Sequence, residues 1–335
     1  MHVLVLRLSA LGDVAMTIPA IYSAARTYPQ HHFYVVTSAF TARLFINPPA
    51  NIKLIGLTKD ESHGVAGTYR LLRRLSHLHI DAVADLHNVL RSWMVDATFR
   101  LRLKPVAMLD KHRSQRRAIL HDHSCEATPF IERYFDVFAR LGLPAKPQFT
   151  SLFPDSLPPM PSGLPAKATE VWVGVAPFAR FRSKTYDLDA MRELVSLLAA
   201  RPRSRVFLFG ARGQEEKLLH EWAGKSENIF LVAGRLQLEE ELALMAHLDV
   251  MLTMDSANLH MASLVATRVV SFWGGTTPAC GFLGFGQSRD DALSAGLSCQ
   301  PCTIAGSDSC PLGHMQCVKA IPPSHIAEHI YTSTI

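Results

Sequence analysis

Short apolar segments alternate with helical segments along this chain in two separate series, and this alternation limits the possible folds more than any other feature. In the first half the strand-like and helix-like segments occupy 3–6, 18–28, 33–38, 52–57, 69–79 and 81–87. Continuous apolar strands separated by helices are typical of a parallel sheet that is covered on both faces. The pattern therefore predicts an α/β fold with doubly wound sheets.

The segment 153–168 interrupts the alternation with five prolines and no hydrophobic period, which is a linker composition. After it a second series begins, and its segments occupy 171–177, 189–200, 205–210, 214–224, 228–233, 238–248, 250–254, 257–265 and 268–274. A chain of 335 residues is long enough for two cores. We expect two domains, 1–160 and 161–335, with a cleft between them.

Charge is unevenly distributed between these two halves. Residues 1–160 hold 19 Lys and Arg against 12 Asp and Glu, whereas residues 161–335 hold 15 against 17. A basic half favours an anionic partner, although a solvated basic surface would have the same composition. No apolar run has the roughly 20 residues of a membrane-spanning helix, and the N-terminus lacks a clean signal-peptide pattern. We expect a cytoplasmic protein.

The sharpest segment of the second half is "LTMDSANLHMASL" (252–264). A strand ends before Asp255 and Ser256, and a helix follows whose first N–H groups have no internal partners. The candidate anion site consists of these N–H groups, among them that of Ala257, and of His260, which lies one turn later. A plain helix cap with a core-facing histidine would give the same spacing.

Two other strand ends carry polar residues. Arg180, Arg182 and Lys184 follow the strand at 171–177 and could bind phosphate oxygens, or they could form a solvated basic loop. Glu215 follows the glycine turn after the strand at 205–210, where a carboxylate could bind ribose hydroxyls. No dinucleotide-binding glycine fingerprint follows the first strand and no P-loop occurs, which argues against a dinucleotide oxidoreductase and a P-loop enzyme.

Four cysteines near the C-terminus have the spacing C-x₂-C-x₇-C-x₆-C, at Cys299, Cys302, Cys310 and Cys317. Such a set could hold a structural zinc ion, but only one pair is closely spaced, so free or loosely packed thiols are the default interpretation.

In the first half, Asp13 stands among apolar residues just after the first strand. From its position alone it could be the N-cap of the following helix. Basic side chains are candidates for binding an anionic saccharide or lipid headgroup, although Arg73 and Arg74 fit equally well on the solvated face of a helix. The segment 110–123 is predicted to be a loop. The basic candidates are Arg70, Arg73, Arg74, Lys111, Arg113, Arg116 and Arg117. Few aromatic residues accompany them, which argues against single-stranded nucleic acid.

Two of these segments together resemble signatures of one enzyme family. "LRLSALGDVAMTIPAI" (6–21) is similar to the N-terminal signature of family 9 glycosyltransferases, the ADP-heptose:lipopolysaccharide heptosyltransferases. "MDSANLHMASLVATRVVSFWGGTTP" (254–278) is similar to their donor-site signature, and the cysteine-bearing tail also resembles that of some members.

The resemblance implies a GT-B fold, in which two Rossmann-like domains face each other across a cleft. It implies an acceptor-binding N-terminal domain and a nucleotide-sugar-binding C-terminal domain. The reaction implied is metal-independent transfer of heptose, with inversion, from an ADP-sugar to an anionic glycolipid of the lipopolysaccharide inner core. Such an enzyme would act in the cytoplasm or at the inner membrane surface. The sequence leaves its oligomeric state open.

The same resemblance implies roles for individual residues. Asp13 would be the base, and Lys184 would bind the diphosphate. Asp255 and His260 would lie at the phosphates and the donor sugar. The adenine would lie near Leu236 and the ribose near Glu215. The apolar neighbours Leu11, Val14 and Ala15 lead us to expect a raised pKa for Asp13.

Other functions remain open at this point. The same fold could transfer a different sugar or use a different acceptor. It could also serve a nucleotide-sugar epimerase, although an epimerase would leave the basic first half unexplained. A non-enzymatic module that binds anions or nucleic acid is a further alternative.

Overall fold

The computed structural model describes residues 1–332, which contain eleven strands and ten α-helices. The strands are β1 (His2–Leu6), β2 (His32–Ser38), β3 (Ile52–Leu57), β4 (Ala82–Asp85), β5 (Val106–Met108), β6 (Val171–Ala176), β7 (Ser204–Leu208), β8 (Ile229–Leu231), β9 (Val250–Met254), β10 (Arg268–Trp273) and β11 (Ala292–Ser294). The helices are α1 (Leu11–Thr27), α2 (Gly64–Leu75), α3 (Leu90–Leu101), α4 (Arg113–His121), α5 (Phe130–Arg140), α6 (Leu188–Ala200), α7 (Gln214–Ala223), α8 (Leu238–His247), α9 (Ala257–Leu264) and α10 (Pro323–Thr332).

The described chain divides into two compact units. The first contains Met1–His112 and Thr128–Leu152, and the second contains Arg113–Ala127 and the rest of the described chain from Phe153 onward. The chain enters the second unit for the last time at Phe153, the first residue of the predicted linker. The assignment of acceptor and donor binding to residues 1–160 and 161–335 stays a prediction.

The first unit is built on a five-stranded parallel sheet in the order β3-β2-β1-β4-β5. Side chains alternate between its two faces, as the pleat of a strand requires. Leu4 and Leu6 pack in one cluster with Leu71 of α2 and Phe99 of α3. On the other face, Phe33 stacks edge-on against Phe138 of α5. Helices cover both faces and bury β1 and β4 almost entirely, which confirms the predicted doubly wound architecture.

The second unit repeats this plan with a six-stranded parallel sheet in the order β11-β10-β9-β6-β7-β8. One hydrophobic cluster joins Val175 and Leu252 of the sheet to Leu194 of α6, Leu219 of α7 and Ile330 of α10. Both sheets are parallel throughout. Their carboxyl-end loops therefore lie along one edge of each sheet, where ligands of open α/β sheets bind.

Two local predictions were wrong. The first helix begins at Leu11 rather than Ile18, so Pro19 lies inside it instead of in its first turn. Proline removes one helical hydrogen bond, but burial of twelve residues of this helix outweighs that loss. The segment predicted as a loop at 110–123 contains α4, which buries Ile119 against Cys280 and Ile304 of the second unit.

None of the helices within residues 1–332 combines the length and apolar character needed to cross a membrane.

An ionic network fastens the C-terminal helix to the second sheet. Asp291, just before β11, accepts hydrogen bonds from Arg268 of β10 at 2.6 and 2.9 Å. His329 of α10 lies 2.9 Å from the same carboxylate, and Arg268 also donates to the carbonyl of Ile330. Burial alone would raise the pKa of Asp291, but the hydrogen bonds from Arg268 and His329 outweigh it and lower the pKa.

We expect Asp291→Asn to lower the free energy of unfolding at pH 7 by about 1–3 kcal/mol, because it removes a buried charge-assisted hydrogen-bonding group. A carboxylate with a lowered pKa stabilises the fold above its unfolded pKa of about 4 and loses that effect as the pH falls through the folded value. The difference between wild type and variant should therefore shrink below pH 4 in denaturant titrations. The neighbouring exposed Asp290→Asn is the matched control, and an equal loss there would contradict the assignment.

Candidate active site

Asp13 lies in the first turn of α1, directly after the carboxyl end of β1. Its Oδ2 atom lies 2.8 Å from Nη2 of Arg7, and the Asp13 side chain is 36% exposed. The same oxygen accepts the N–H of Ala10, the N-cap residue, at 3.4 Å. Asp13 therefore has ionic surroundings, and the apolar enclosure expected from Leu11, Val14 and Ala15 is not formed around its carboxylate. Val14 and Ala15 are buried instead in the core of the unit.

Arg7 holds this carboxylate from within the protein. Its residue surface is only 5% exposed, and Nη1 donates to the carbonyl of Leu86 at 2.7 Å. Leu86 directly follows β4, the strand next to β1. The position of Arg7, and with it that of Asp13, thus depends on the loop after β4. A lone arginine at the end of a buried apolar strand is the sequence signal that could have identified this residue.

His87 is the second residue that sequence reasoning missed. Its Nδ1 accepts the N–H of Leu8 at 3.4 Å, which assigns the ring proton to Nε2 in the neutral tautomer. Burial, which has the largest effect, and the charges of Arg7, Lys111 and Arg91 together lower the pKa of His87 to about 4, although the charge of Asp13 acts in the opposite direction. We call Arg7, Asp13, His87, Arg91 and Lys111 the Asp13 cluster.

Only part of the predicted acceptor set belongs to this cluster. Lys111 lies near His87, whereas Arg74 bonds to the buried Glu61 at 2.8 Å and to the carbonyl of Gly56. Arg70 donates to the carbonyl of Asp60, and Arg73 is exposed on α2. The side chain of Arg74 therefore holds α2 against the preceding loop.

The remaining three predicted acceptor residues lie on α4, in the second compact unit. Arg113 and Arg117 are exposed, and Arg116 is half-buried, where burial lowers its pKa. The structure thus divides the seven predicted residues between two units, because the segment 113–127 belongs to the second unit, where Ile119 packs against Cys280 and Ile304.

In the second unit, Lys184 and Asp255 meet at the carboxyl ends of the adjacent strands β6 and β9. Lys184 Nζ lies 2.9 Å from Asp255 Oδ2, and the Asp255 side chain is only 3% exposed. The hydroxyl of Thr276 donates to the same oxygen at 2.8 Å. We call Lys184, Asp255 and Thr276 the Lys184 cluster. Sequence reasoning missed Thr276, although it stands in the quoted donor-site segment.

The loop that carries Lys184 is held by the cysteine-bearing segment. The N–H of Gly275 donates to the carbonyl of Ser183 at 2.6 Å, and Cys302 donates through its N–H to the carbonyl of Gly275. The backbones approach so closely that a Cβ at Gly274 would collide with Ser183. In return, the hydroxyl of Ser183 accepts the N–H of Ser307 at 2.9 Å.

Helix α9 begins directly after Asp255, with Ser256 as its N-cap residue. The Ser256 side chain makes no capping hydrogen bond and lies 3.2 Å from the hydroxyl of Thr253. The predicted side-chain cap is therefore absent from this described helix start, whose first residue is Ala257. His260 is buried one turn later.

The other predicted donor residues are at neighbouring strand ends. Glu215 accepts the N–H of Ala211 at 2.7 Å, so its carboxylate holds the turn after β7. Leu236 is half-buried in the loop after β8, and Arg180 is exposed with its guanidinium 5.2 Å from the ring of Phe181. Arg182 donates its backbone N–H to Asp308.

The four C-terminal cysteines are free thiols. Burial, followed by the charges of Cys302, Cys299 and Cys310, raises the pKa of Cys317 to about 11. Within residues 1–332, however, no three His, Cys, Asp or Glu side chains form a group that could hold a metal ion. Structural zinc at these cysteines stays a prediction.

Comparison with known proteins adds the following findings. Residues 68–310 match the sequence model of glycosyltransferase family 9 (heptosyltransferase). Lipopolysaccharide heptosyltransferase 3 of Escherichia coli is 25% identical over 79% of this chain and 81% of its own length. Lipooligosaccharide heptosyltransferase 2 of Campylobacter jejuni is 22% identical over 96% of this chain and 95% of its own length.

Solved structures show the same fold. E. coli heptosyltransferase WaaC with ADP-2-deoxy-2-fluoro heptose superposes with a TM-score of 0.67 at 18% identity, covering 99% of this chain and all of that one. E. coli ADP-heptose lps heptosyltransferase II gives 0.66 at 18% identity, over 100% and 98%. These likenesses confirm the predicted GT-B fold class.

We expect His87 to remain neutral from pH 8 down to about pH 5. In ¹H–¹³C NMR spectra its ring resonances, assigned by loss in His87→Gln, should titrate near pH 4. Because the folded pKa lies below the unfolded value of about 6.5, the unfolded chain takes up the proton first. His87 should therefore reduce stability as the pH falls from 6.5 towards 4, and His87→Gln should lose this part of the pH dependence. A midpoint above pH 6 would contradict the burial of this ring among cations.

Proposed function

Because the chain belongs to glycosyltransferase family 9, the heptosyltransferase family, we propose that it transfers heptose from an ADP-sugar to the lipopolysaccharide inner core. We further propose that transfer inverts the anomeric carbon and needs no metal ion. The observation that carries this proposal is the convergence of Lys184 and Asp255 beside the start of α9, within the segment that the family model covers. The names of the relatives support the acceptor class, and the ADP-heptose analogue bound to WaaC supports the donor class.

Asp13 is the proposed general base. Every hydrogen bond and ion pair of its carboxylate within residues 1–332 involves Oδ2, which leaves Oδ1 able to take a proton from a sugar hydroxyl. A hydroxyl is a poor nucleophile until its proton is removed in the transition state, and a positioned base contributes roughly 10²–10⁴-fold. The ion pair with Arg7 orients the carboxylate. The N–H of Ala10 also donates to Oδ2, so this capping contact is compatible with the proposed catalytic role of Oδ1.

The departing diphosphate gains negative charge, and cations of the second unit are placed to stabilise it. An ammonium has three donors, and Asp255 uses one of those on Lys184. The other two can point to phosphate oxygens. The uncapped N–H groups at Ser256 and Ala257 add partial positive charge at the helix start, and Arg180 offers an exposed guanidinium nearby in sequence.

The remaining donor contacts stay proposals of the same kind. His260 would face the phosphates or the sugar, Leu236 would contact the adenine, and Glu215 would bind the ribose with the carboxylate oxygen that Ala211 leaves available. Among the basic residues, Lys111 is the best placed for an anionic acceptor, because it belongs to the Asp13 cluster. Such an acceptor is anchored in lipid, so catalysis would take place at the inner membrane surface.

The decisive experiment supplies the purified protein with ADP-heptose, other nucleotide sugars and phosphorylated core acceptors, and measures products by mass spectrometry. Transfer of heptose supports the proposal, and NMR of the product gives the configuration at the anomeric carbon. Transfer of another sugar would correct the donor. A nucleotide sugar that isomerises without an acceptor would establish an epimerase instead.

We expect Asp13→Asn to lower kcat for transfer by roughly 10²–10⁴-fold, because the amide cannot accept the hydroxyl proton. The Kd for ADP should stay within twofold of wild type, as measured by calorimetry, since the donor contacts belong to the Lys184 cluster. The exposed Asp60→Asn in the same unit is the control and should retain full turnover. Turnover preserved in Asp13→Asn would remove Asp13 as the base, whereas a lower thermal midpoint with reduced folding would support a purely structural cap.

We expect Lys184→Ala to weaken ADP binding by roughly 10- to 100-fold, which corresponds to loss of a charge-assisted hydrogen bond. The exposed Lys225→Ala should bind ADP as wild type does.

Wild-type turnover should be the same with and without EDTA, because the proposed stabilisation of the diphosphate is supplied by side chains and backbone. A rate that falls with EDTA and returns with a divalent cation would refute metal independence.

A further inference from the structure

Large apolar side chains are concentrated on the solvent side of α2 and α3. Thirteen are exposed in residues 1–332, and six of them belong to these two helices and the turn after α3. The six are Val65, Tyr69, Leu90, Trp93, Leu101 and Leu103. Isolated exposed apolar residues are ordinary, whereas a group of them on one surface points to a partner.

The two helices present these side chains in the same direction. Leu71 of α2 and Phe99 of α3 point inward, into one cluster with the strands of the first sheet. Successive residues of an α-helix are about 100° apart, so a residue two positions from either, such as Tyr69, points outward. The helices also begin side by side, because Nε of Arg91 on α3 donates to the hydroxyl of Thr68 on α2 at 3.3 Å. We call this shared solvent side the α2–α3 face, and its large apolar members are Val65, Tyr69, Leu90, Trp93 and Leu101.

The exposed charge of the α2–α3 face has a single sign. There are three arginines in α2 and two in α3, whereas Asp96, the only acidic residue of either helix, is buried. Arg70, Arg73 and Arg100 are exposed. Arg70 donates to a backbone carbonyl, which is a neutral acceptor and leaves its positive charge unbalanced. A face that combines apolar groups with arginines and exposes no carboxylate of its own helices is complementary to an anionic lipid surface.

Trp93 is held at the surface by a hydrogen bond. Its Nε1 donates to Oδ1 of Asn88 at 2.6 Å, and Nδ2 of Asn88 donates to the carbonyl of Leu109 at 2.6 Å. The residue is 43% exposed, whereas the other three tryptophans of the chain are buried. Tryptophan and tyrosine favour the boundary between hydrocarbon and water, because one end of each ring is apolar and the other is polar. The polar end of this indole is satisfied within the protein, and its apolar part faces outward.

The α2–α3 face extends to the edge of the sheet that carries the Asp13 cluster. Leu90 and Trp93 stand on either side of Arg91, which belongs to that cluster, in the first turn of α3. The hydrogen bond from Trp93 to Asn88 joins the face to the loop after β4, which also contains His87. A lipid surface in contact with this face would therefore lie next to the Asp13 cluster.

We propose that the α2–α3 face docks this protein on an anionic lipid bilayer. The apolar side chains enter the headgroup region, and the exposed arginines pair with lipid phosphates. The proposal rests on the proposed function, which supplies an acceptor anchored in lipid, and it names the surface that brings Asp13 to that acceptor. A second copy of this chain fits the face less well, because a two-fold contact would place these arginines against the same arginines of the copy.

The first test measures binding to vesicles by flotation. Vesicles of about three parts phosphatidylcholine to one part phosphatidylglycerol should bind wild type, and vesicles of phosphatidylcholine alone should bind it at least about tenfold more weakly. The double variant Leu90→Ala, Trp93→Ala should bind the anionic vesicles roughly 10- to 100-fold more weakly, because it buries less apolar surface. The double variant Arg70→Gln, Arg73→Gln should bind them roughly 10- to 30-fold more weakly, because two positive charges are lost.

A matched control removes two exposed positive charges from the second unit. The double variant Arg192→Gln, Lys225→Gln should bind the anionic vesicles as wild type does. Wild type that does not bind them, or binding that both α2–α3 variants retain in full, would overturn the proposal. Light scattering that finds a wild-type dimer, and a monomer in Leu90→Ala, Trp93→Ala, would assign the face to a second copy and would also overturn it.

A spectroscopic test uses the single exposed tryptophan among residues 1–332. When wild type binds the anionic vesicles, its tryptophan emission should shift to shorter wavelength and should be quenched by brominated acyl chains. The shift and the quenching come from Trp93, since the other three indoles are already buried. Trp93→Phe should still bind and should lose both signals. Binding without quenching in wild type would show that another surface meets the lipid.

Transfer measurements separate this proposal from the proposed function. With a core acceptor embedded in the same vesicles, Leu90→Ala, Trp93→Ala should lower kcat/KM by roughly tenfold or more, because the enzyme no longer gathers on the acceptor's surface. With the deacylated, water-soluble acceptor, kcat/KM should stay within about twofold of wild type. An equal loss on both acceptors would overturn the docking role. Vesicle binding through this face by a protein that transfers no heptose supports the docking and refutes only the function.

Discussion

The parallel direction of neighbouring strands determines where each charge of this molecule can act. In the first unit, β1 and β4 end side by side, so the segment after β1 can be held by the loop after β4. In the second unit, β6 and β9 end side by side, and this brings Lys184 to Asp255 although they are 71 residues apart. Antiparallel pairing would send these loops to opposite edges. The chemistry proposed here therefore depends on sheet topology before it depends on any side chain.

The two clusters use an ion pair in opposite ways. In the Asp13 cluster the carboxylate is the proposed reactive group, and the buried Arg7 orients it. In the Lys184 cluster the ammonium is the group proposed to bind phosphate, and the buried Asp255 orients it with help from Thr276. In both pairs the partner that orients is more buried than the partner that would act. A buried partner loses little additional freedom when the ligand binds, which is how preorganised charges stabilise a transition state most effectively.

The sequence was sufficient for the architecture and for the two motifs, because both are local patterns. Strands of apolar residues and the segments around Asp13 and Asp255 are recognisable without any long-range contact. It was insufficient for Arg7, His87 and Thr276, since their importance comes from contacts with residues 6 to 79 positions away. The course of 113–127 could not be foreseen for the same reason. Basic composition suggested an exposed loop, whereas the segment contains a helix that buries Ile119 against Cys280 and Ile304 of the second unit.

The surroundings of Asp13 also change the physical account of how it would act as a base. An apolar shell would make the carboxylate more basic, but it would leave its orientation to packing alone. The ion pair between Arg7 and Oδ2 of Asp13 instead gives Oδ1 a fixed direction. In glycosyl transfer the hydroxyl loses its proton as the new bond forms, so the position of the base at that moment matters more than its basicity in the resting enzyme. The low pKa of His87 serves the same arrangement, because a neutral ring adds no further cation beside a carboxylate already paired with Arg7.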